Sequence, residues 1–176
     1  MDHPDGRPRL VEFYAGRATD FAGRRIDDIW RMSLDELEYN HDYIQWLFPL
    51  RERSGVQPDV PVLDDATIHA FEASELHSRV ERSANVMAGF YGLEITHDDS
   101  GVVMRRSSQF DERRLNWLTR GNHNFLRLTR IMKSLVTLGH EDLARAWLRA
   151  LLSVYDEYAS VIGAVTLRYW RDAVDG

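Results

Sequence analysis

The chain has 176 residues, no cysteine and a formal net charge of −6. This length suits one domain with a sizeable core, and the lack of cysteine excludes disulfides, thiolate metal ligands and a cysteine nucleophile. The acidic balance argues against non-specific nucleic-acid binding. No apolar run is long enough to span a membrane and no secretory signal is visible, so we expect a soluble, cytoplasmic protein.

The N-terminal region combines a charged start with short apolar segments. Residues 1–9 hold two prolines and a glycine and are predicted to be a flexible tail. Residues 10–18 fit a short helix or an extended arm, 20–25 a polar turn, and 26–32 a second short helix. We predict that residues 10–176 form a single helical domain.

The stretch 33–48 is predicted to be one helix at the centre of that domain. Ser33 and Glu36 form a capping box at its start, and a proline follows its end. Its apolar residues cover roughly two thirds of the circumference, against about 100° for an ordinary surface helix. Asn40 and His41 fall within the apolar arc and are expected to point inward.

The middle of the chain contains a long connection, two helices and a strand-like segment. Asp64 or Asp65 caps a short helix, and an amphipathic helix from Ser74 ends at Gly92, where the C′ glycine belongs. Alternating residues in 93–105 surround a D-D-S-G turn. A small β-hairpin and an ordered surface loop are equal alternatives for this segment.

The C-terminal part is predicted to contain four helical segments. One runs over 111–117, a long one over 123–138 with Asn122 as its cap, another over 141–158, and a last one over 160–174. The predicted core face of the long helix comprises Phe125, Leu128, Ile131, Met132, Leu135 and Leu138, and the last helix carries Ile162, Val165, Tyr169 and Trp170. We therefore predict an all-α fold, an irregular multi-helix bundle.

Two polar clusters are candidate ligand-binding sites. Asn40 and His41 form either a buried, hydrogen-bonded pair or one wall of a pocket. A second cluster lies at the start of the long helix and comprises His123, Asn124, Arg127 and Arg130, with Ser134 on the same stripe. This stripe is either a salt-bridged surface or an anion site. We hypothesise that the two clusters face each other.

The sequence shows no recognisable catalytic, cofactor or metal motif. H-E-x-x-H, G-x-S-x-G, P-loop and dinucleotide patterns are missing from the sequence, so we expect no catalytic residue, no cofactor and no metal. Lys133 is the only lysine beside many arginines. This bias is typical of GC-rich coding, which suggests a bacterial source, or of anion recognition by guanidinium groups.

Three blocks together resemble one known family. The blocks are L-E-Y-N-H-D-Y-I-Q-W-L-F-P-L at 37–50, G-F-Y-G-L at 89–93 and H-N-F-L-R-L-T-R-I-M-K-S-L at 123–135, and V-E-F-Y-A-G-R at 11–17 is similar to an entry segment. They resemble the opioid growth factor receptor (OGFr) conserved region. The resemblance implies a helical fold, and the name of the vertebrate member implies a peptide ligand. The motif residues that would carry over are Asn40, His41, Tyr43, Gln45, Trp46, His123, Asn124, Arg127, Arg130 and Ser134.

The preferred functional hypothesis is a non-enzymatic binding domain. It would hold a peptide, a small anionic ligand or a protein partner in a polar pocket. The alternative is an enzyme or nucleotide-dependent protein that uses His41 with Arg127 and Arg130 on a phosphate- or carboxylate-bearing substrate. We expect no nucleic-acid partner and no membrane span, and a homodimer remains open.

Overall fold

Helices make up most of this protein in the computed structural model, which describes residues 8–99 and 101–176. The chain divides into two compact units, Met1–Ser83 and Ala84–Gly176. Residues 1–7 of the predicted tail at 1–9 lie outside the described residues. The first helix already begins at Arg9. The expectation of a single domain stays a prediction.

The first unit contains five short helices and the start of a long one. Their bounds are α1 Arg9–Tyr14, α2 Ile26–Trp30, α3 Leu34–Tyr39, α4 Ile44–Leu47, α5 Asp65–Phe71 and α6 Ser74–Tyr91, the last of which continues into the second unit. Rings from α1, α4 and α5 form its core. The centroid of Phe13 lies 5.1 Å from that of Trp46, and that of Tyr14 lies 4.8 Å from that of Phe71.

The second unit combines a β-hairpin with four helices. The bounds are β1 Leu93–Asp98, β2 Gly101–Arg106, α7 Phe110–Trp117, α8 Asn124–Thr137, α9 Glu141–Ile162 and α10 Ala164–Asp175. The antiparallel register pairs Leu93 with Arg106 and Ile95 with Met104, so the hairpin alternative is confirmed. The centroid of Tyr91 lies 5.3 Å from that of Trp117 and 6.0 Å from that of Trp147, at the centre of this unit's core. The all-α prediction with a small hairpin is confirmed.

The prediction of one continuous helix over 33–48 is wrong in its middle. The capping box forms as expected, because Glu36 N donates to Ser33 Oγ at 3.2 Å and Ser33 N donates to Glu36 Oε2 at 2.7 Å. The helix then ends at Tyr39, and the next residue, Asn40, has an extended ψ of 133°. The side chain of Asn40 donates to Glu36 O at 2.8 Å and the hydroxyl of Tyr43 donates to Leu37 O at 2.9 Å. Glu36 O also accepts from Asn40 N at 2.9 Å, so the Asn40 side chain adds a second donor there, whereas the Tyr43 hydroxyl serves a carbonyl to which a continuing helix would bond a backbone N–H group.

The second half of this stretch is covered as predicted. Every residue from Tyr43 to Pro49 is buried, whereas Tyr39 is 88% exposed. The hydroxyl of Tyr14 donates to the carbonyl of Leu47. Tyr14 is itself completely buried, and this burial raises its pKa above the usual value. The core of the first unit therefore surrounds α4 and not the whole predicted helix.

Candidate functional site

Asn40 and His41 lie in the connection between α3 and α4. Asn40 is partly exposed and His41 is exposed. The expected inward direction of these two side chains is therefore wrong, since the helix that would have turned them inward ends before them. Their assignment as ligand-binding residues stays a prediction.

The predicted cluster at the start of α8 separates into a buried part and an exposed part. Asn124 and Arg127 are buried, Arg130 is partly exposed and His123 is exposed. The Oδ1 atom of Asn124 accepts from the hydroxyl of Tyr91 and from Nη1 of Arg127, both at 3.3 Å. The second unit thus contains a buried polar cluster. Its predicted meeting with Asn40 and His41 stays a prediction.

The backbone N–H groups at the start of α8 are engaged within the chain. Asn124 N donates to Asn122 Oδ1 at 2.9 Å and Phe125 N to Asn122 O at 3.1 Å. The next two N–H groups both donate to His123 O, at 3.2 and 3.3 Å. The N-cap of α8 is His123, one residue after the predicted Asn122, whose side chain accepts from Asn124 N. A ligand bound here would consequently be held by side chains and not by the N–H groups that usually attract anions to a helix start.

An open groove of about 190 Å³ lies between the start of α8 and α10. We call it the α8–α10 groove; it is lined by Gly121, Asn122, His123, Phe125, Leu126, Thr129, Thr166 and Tyr169. Leu126 is 66% exposed, Tyr169 is 45% exposed and the neighbouring Val165 is 59% exposed. The groove therefore joins a solvent-exposed apolar surface to a polar rim that includes His123.

A buried contact between the two helices holds the groove in place. The ring centroid of Trp170 lies 6.0 Å from that of Phe125 in an edge-to-face arrangement, and Trp170 Nε1 donates to Phe125 O at 3.1 Å. Because Trp170 faces α8, its neighbour Tyr169 falls on the solvent side. At the other end, the amide nitrogen of Asn122 donates to Asn116 O and Thr119 Oγ1 at 3.0 and 2.9 Å, which fixes the turn before α8.

The polar groups of the groove are largely engaged within the chain. The hydroxyl of Thr129 donates to Phe125 O at 3.1 Å, and the side chain of Asn122 makes the three bonds already described. These groups are structural donors and acceptors, so apolar contact with Leu126 and Tyr169 is the main interaction that the groove offers to a ligand.

The exposed apolar residues of this groove were not predicted from the sequence. Val165 and Tyr169 are four apart, at core spacing on the last helix, and the structure places both on the surface. Leu126 lies outside the core face of α8 that the periodicity identifies. An apolar residue outside the core face was the one sequence feature that could have indicated this surface. Single surface leucines are common, however, and are weak evidence alone.

A second open space, of about 380 Å³, lies between β2 and α9 and is bridged by an ion pair. The Nη2 and Nη1 atoms of Arg106 lie 2.7 and 3.1 Å from the carboxylate oxygens of Glu157. Hydrogen bonding from Arg106 holds the pKa of Glu157 below its usual value. This pair ties the hairpin to α9.

In the part of the chain that the structure describes, no helix has both the length and the hydrophobicity needed to cross a membrane.

Comparison with known proteins identifies a family. A sequence model of the opioid growth factor receptor (OGFr) conserved region matches residues 11–175. The opioid growth factor receptor of Mus musculus is 41% identical over 134 residues, which cover 74% of this chain and 21% of that protein. The receptor of Homo sapiens is 41% identical over 133 residues, covering 72% of this chain and 19% of that protein.

A related group matches over a similar span. The opioid growth factor receptor-like protein 1 of Xenopus tropicalis is 38% identical over 124 residues, covering 68% of this chain and 23% of that protein. This chain therefore spans about a fifth of the length of these curated relatives. They are vertebrate proteins, and a bacterial source for this chain stays a prediction. No solved structure matches. On the family match and these identities, the chain belongs to the opioid growth factor receptor conserved-region family.

Proposed function

We propose that this chain is a non-enzymatic binding domain whose α8–α10 groove holds a peptide segment of a ligand or of a partner protein. The observation that carries the proposal is the exposure of Leu126 and Tyr169 in one groove, with the exposed Val165 four positions before Tyr169 on α10. Bulky apolar side chains exposed together commonly mark an interaction surface. The partner would bury them.

The size of the groove favours a peptide anchor over a whole small molecule. Its volume is about 190 Å³, whereas pockets for drug-sized ligands usually measure about 300–1,000 Å³. A space of this size accommodates one bulky side chain, with the rest of the peptide lying across the surface. His123 lies at the rim of this space.

The relatives support a binding role in general terms. They are named as receptors, and binding is what such a name attributes to them. That this chain shares the binding role is part of the proposal. That the chain lies in the cytoplasm is also part of it. The absence of cysteine is compatible with a reducing compartment.

Selection of peptides on the purified full chain tests the proposed function. Random peptides displayed on phage would be selected on the unmodified protein and re-measured on Leu126→Asp. We expect selected peptides whose affinity falls at least about tenfold in this variant, since a charge would enter the apolar groove.

A matched control is available on α7. Leu115 is 65% exposed and Leu126 is 66% exposed, so Leu115→Asp makes the same chemical change at an equal exposure outside the groove. Circular dichroism would verify that both variants fold. Peptides that bind Leu126→Asp and the unmodified chain equally well, or a failure to select any peptide, would contradict the proposal.

A further inference from the structure

The exposed face of α10 carries an ordered pattern of charge. Arg168 and Arg171 come first, and Asp172 and Asp175 follow them. These positions are i, i+3, i+4 and i+7, so the four side chains share one helix face, and all four are exposed. Trp170, which is buried against α8, lies on the opposite face of the helix. We call the four charged residues the α10 charge stripe.

The order of these charges is the less favourable one for an isolated helix. Anions are preferred near the N-terminus of a helix and cations near its C-terminus, but Asp172 and Asp175 both lie in the last turn of α10. At a spacing of four residues, an acid before a base is also better than the reverse, and both such pairs in the stripe have the arginine first. The stability of α10 by itself therefore does not explain the pattern.

The α10 charge stripe is not neutralised by its own chain. In residues 8–99 and 101–176, the structure shows no ion pair that involves any of its four side chains. The guanidinium carbon of Arg168 lies 5.8 Å from the ring centroid of the adjacent Tyr169, which is a contact with a neutral ring. The face thus presents two cations followed by two anions to the surroundings of the protein.

Reversal of the direction of the stripe exchanges its signs. If a second copy of α10 lies antiparallel, with a twofold axis between Arg171 and Asp172, Arg168 faces Asp175 of the second copy and Arg171 faces Asp172 of the second copy. A twofold contact is isologous, so each of these pairs occurs twice. A parallel pair of helices in register would instead place like charges opposite each other. The antiparallel arrangement also sets the two helix dipoles against each other, which offsets the unfavourable charge order within each helix.

We propose that this chain self-associates through an antiparallel twofold contact between two copies of α10, centred on the α10 charge stripe. The occupant of this face is a second copy because the order of the four charges is complementary to itself. Val165, which is 59% exposed and three positions before Arg168, lies on the same face and adds apolar contact at each end of the interface. This inference does not rest on the proposed peptide groove.

The expected dimer is weak and sensitive to salt. Exposed ion pairs are individually weak, and salt screens them. Sedimentation equilibrium of the full chain measures the effect. We expect dimers at about 0.5 mM protein in about 50 mM salt, and a dissociation constant at least about tenfold larger in about 500 mM salt.

Charge reversals test the pairing itself. Arg168→Asp with Arg171→Asp makes the stripe uniformly negative, and Asp172→Arg with Asp175→Arg makes it uniformly positive. Each double variant should be monomeric under the conditions in which the unmodified chain dimerises, because like charges then face each other. An equimolar mixture of the two double variants should form a heterodimer.

A variant with all four substitutions separates pairing from damage to the helix. It keeps two charges of each sign in the opposite order, so it remains complementary to itself and should dimerise as the unmodified chain does. Its order is also the one that an isolated helix prefers. Circular dichroism would verify that every variant folds.

Two control substitutions restrict the contact to this face. Arg145→Asp changes an exposed charge on α9, and Leu126→Asp changes the α8–α10 groove; both should leave self-association unchanged. A chain that stays monomeric, or self-association that persists in either double variant, would overturn the inference. Loss of self-association in Leu126→Asp would place the contact at the groove and would overturn it as well. Failure of the mixed double variants to form a heterodimer would show that the stripes do not face each other.

Discussion

At the scale of single residues, Gly92 meets two independent constraints. Its φ is +74°, which glycine adopts readily and other residues rarely do. A Cβ atom at this position would also lie 2.7 Å from Phe110 Cα. The tight approach allows Arg113 Nε to donate to Phe90 O at 3.1 Å and Trp117 Nε1 to donate to Tyr91 O at 3.2 Å. The end of α6 is thereby joined to α7.

Replacement of Gly92 should be more damaging than replacement of an ordinary C′ glycine. Gly92→Ala should lower the free energy of unfolding by about 2–5 kcal/mol, because the left-handed backbone costs about 1–2 kcal/mol and overpacking about 1–3 kcal/mol. Gly139 has a φ of +81° and nothing within 4 Å of its Cβ position, so Gly139→Ala should lose only the first contribution. Urea denaturation of both variants measures the difference, and equal losses would contradict the steric argument.

At the scale of elements, the break between α3 and α4 is stabilised by side chains. Tyr43 is buried and its hydroxyl donates to Leu37 O at 2.9 Å, near the end of α3. A terminal helix carbonyl that is covered by protein needs such a donor. The polar residues between the two helices are consequently part of a structured turn.

Removal of the Tyr43 hydroxyl should destabilise the protein measurably. Tyr43→Phe should lower the free energy of unfolding by about 1–3 kcal/mol, since it leaves a buried carbonyl without this donor. Tyr39 lies four positions earlier and is 88% exposed, so Tyr39→Phe should have an effect near zero. Thermal and urea unfolding of the pair would check this, and an equal change in the two variants would disprove the role of the hydroxyl.

The start of α5 provides a test that depends on pH. Asp64 Oδ1 accepts from Thr67 N at 2.7 Å, and hydrogen bonds from the Thr67 side chain and backbone lower the pKa of Asp64. A depressed pKa in the folded state means that the stabilisation is present above the unfolded-state pKa of about 4. It is lost as the pH falls through the lower folded-state value.

Two substitutions of Asp64 separate the cap from the charge. Asp64→Ala should cost about 1 kcal/mol at pH 7, whereas Asp64→Asn keeps an acceptor and should cost less. The difference in stability between the unmodified chain and Asp64→Asn should shrink as the pH is lowered from 6 to 3. Urea titrations at several pH values measure it, and a constant difference would show that the carboxylate charge has no role.

At the scale of the whole molecule, the division into two units falls within a continuous helix. The boundary lies between Ser83 and Ala84, and α6 runs from Ser74 to Tyr91. Both units depend on this helix for part of their cores: Val80 is buried on one side of the boundary and Met87 on the other. We therefore predict that the chain behaves as one folding domain.

Hydrogen exchange during urea unfolding tests the single-domain prediction. Peptides from 8–83 and from 84–176 should lose protection at the same urea concentration, because melting α6 removes part of both cores. Circular dichroism should give the same midpoint as the exchange data. Separate midpoints for the two groups of peptides would show that the units unfold independently.

Much of the helical framework was predictable from the sequence because it depends on local pattern. The capping box at Ser33, the C′ glycine at Gly92 and the 3.6-residue periodicity of α6 and α8 all depend on neighbours within a few residues. Contacts formed in the tertiary structure decided where a predicted helix would stop despite its continuing hydrophobic pattern. After α3 ends, the Tyr43 hydroxyl donates to Leu37 O and the Asn40 side chain donates to Glu36 O, and hydrophobic periodicity does not predict such bonds.

The α8–α10 groove likewise depends on packing. Trp170 and Tyr169 are adjacent and both apolar, so the pattern of α10 allows either of them to face the core. In the structure Trp170 is buried and donates to Phe125 O, while Tyr169 is exposed and lines the same groove as Leu126. The sequence by itself therefore determined most of the helices, the hairpin as one of two alternatives, and the family blocks, but not the break between α3 and α4. Only the tertiary structure decided which apolar side chains remain exposed, because burial depends on the partner that each helix face meets.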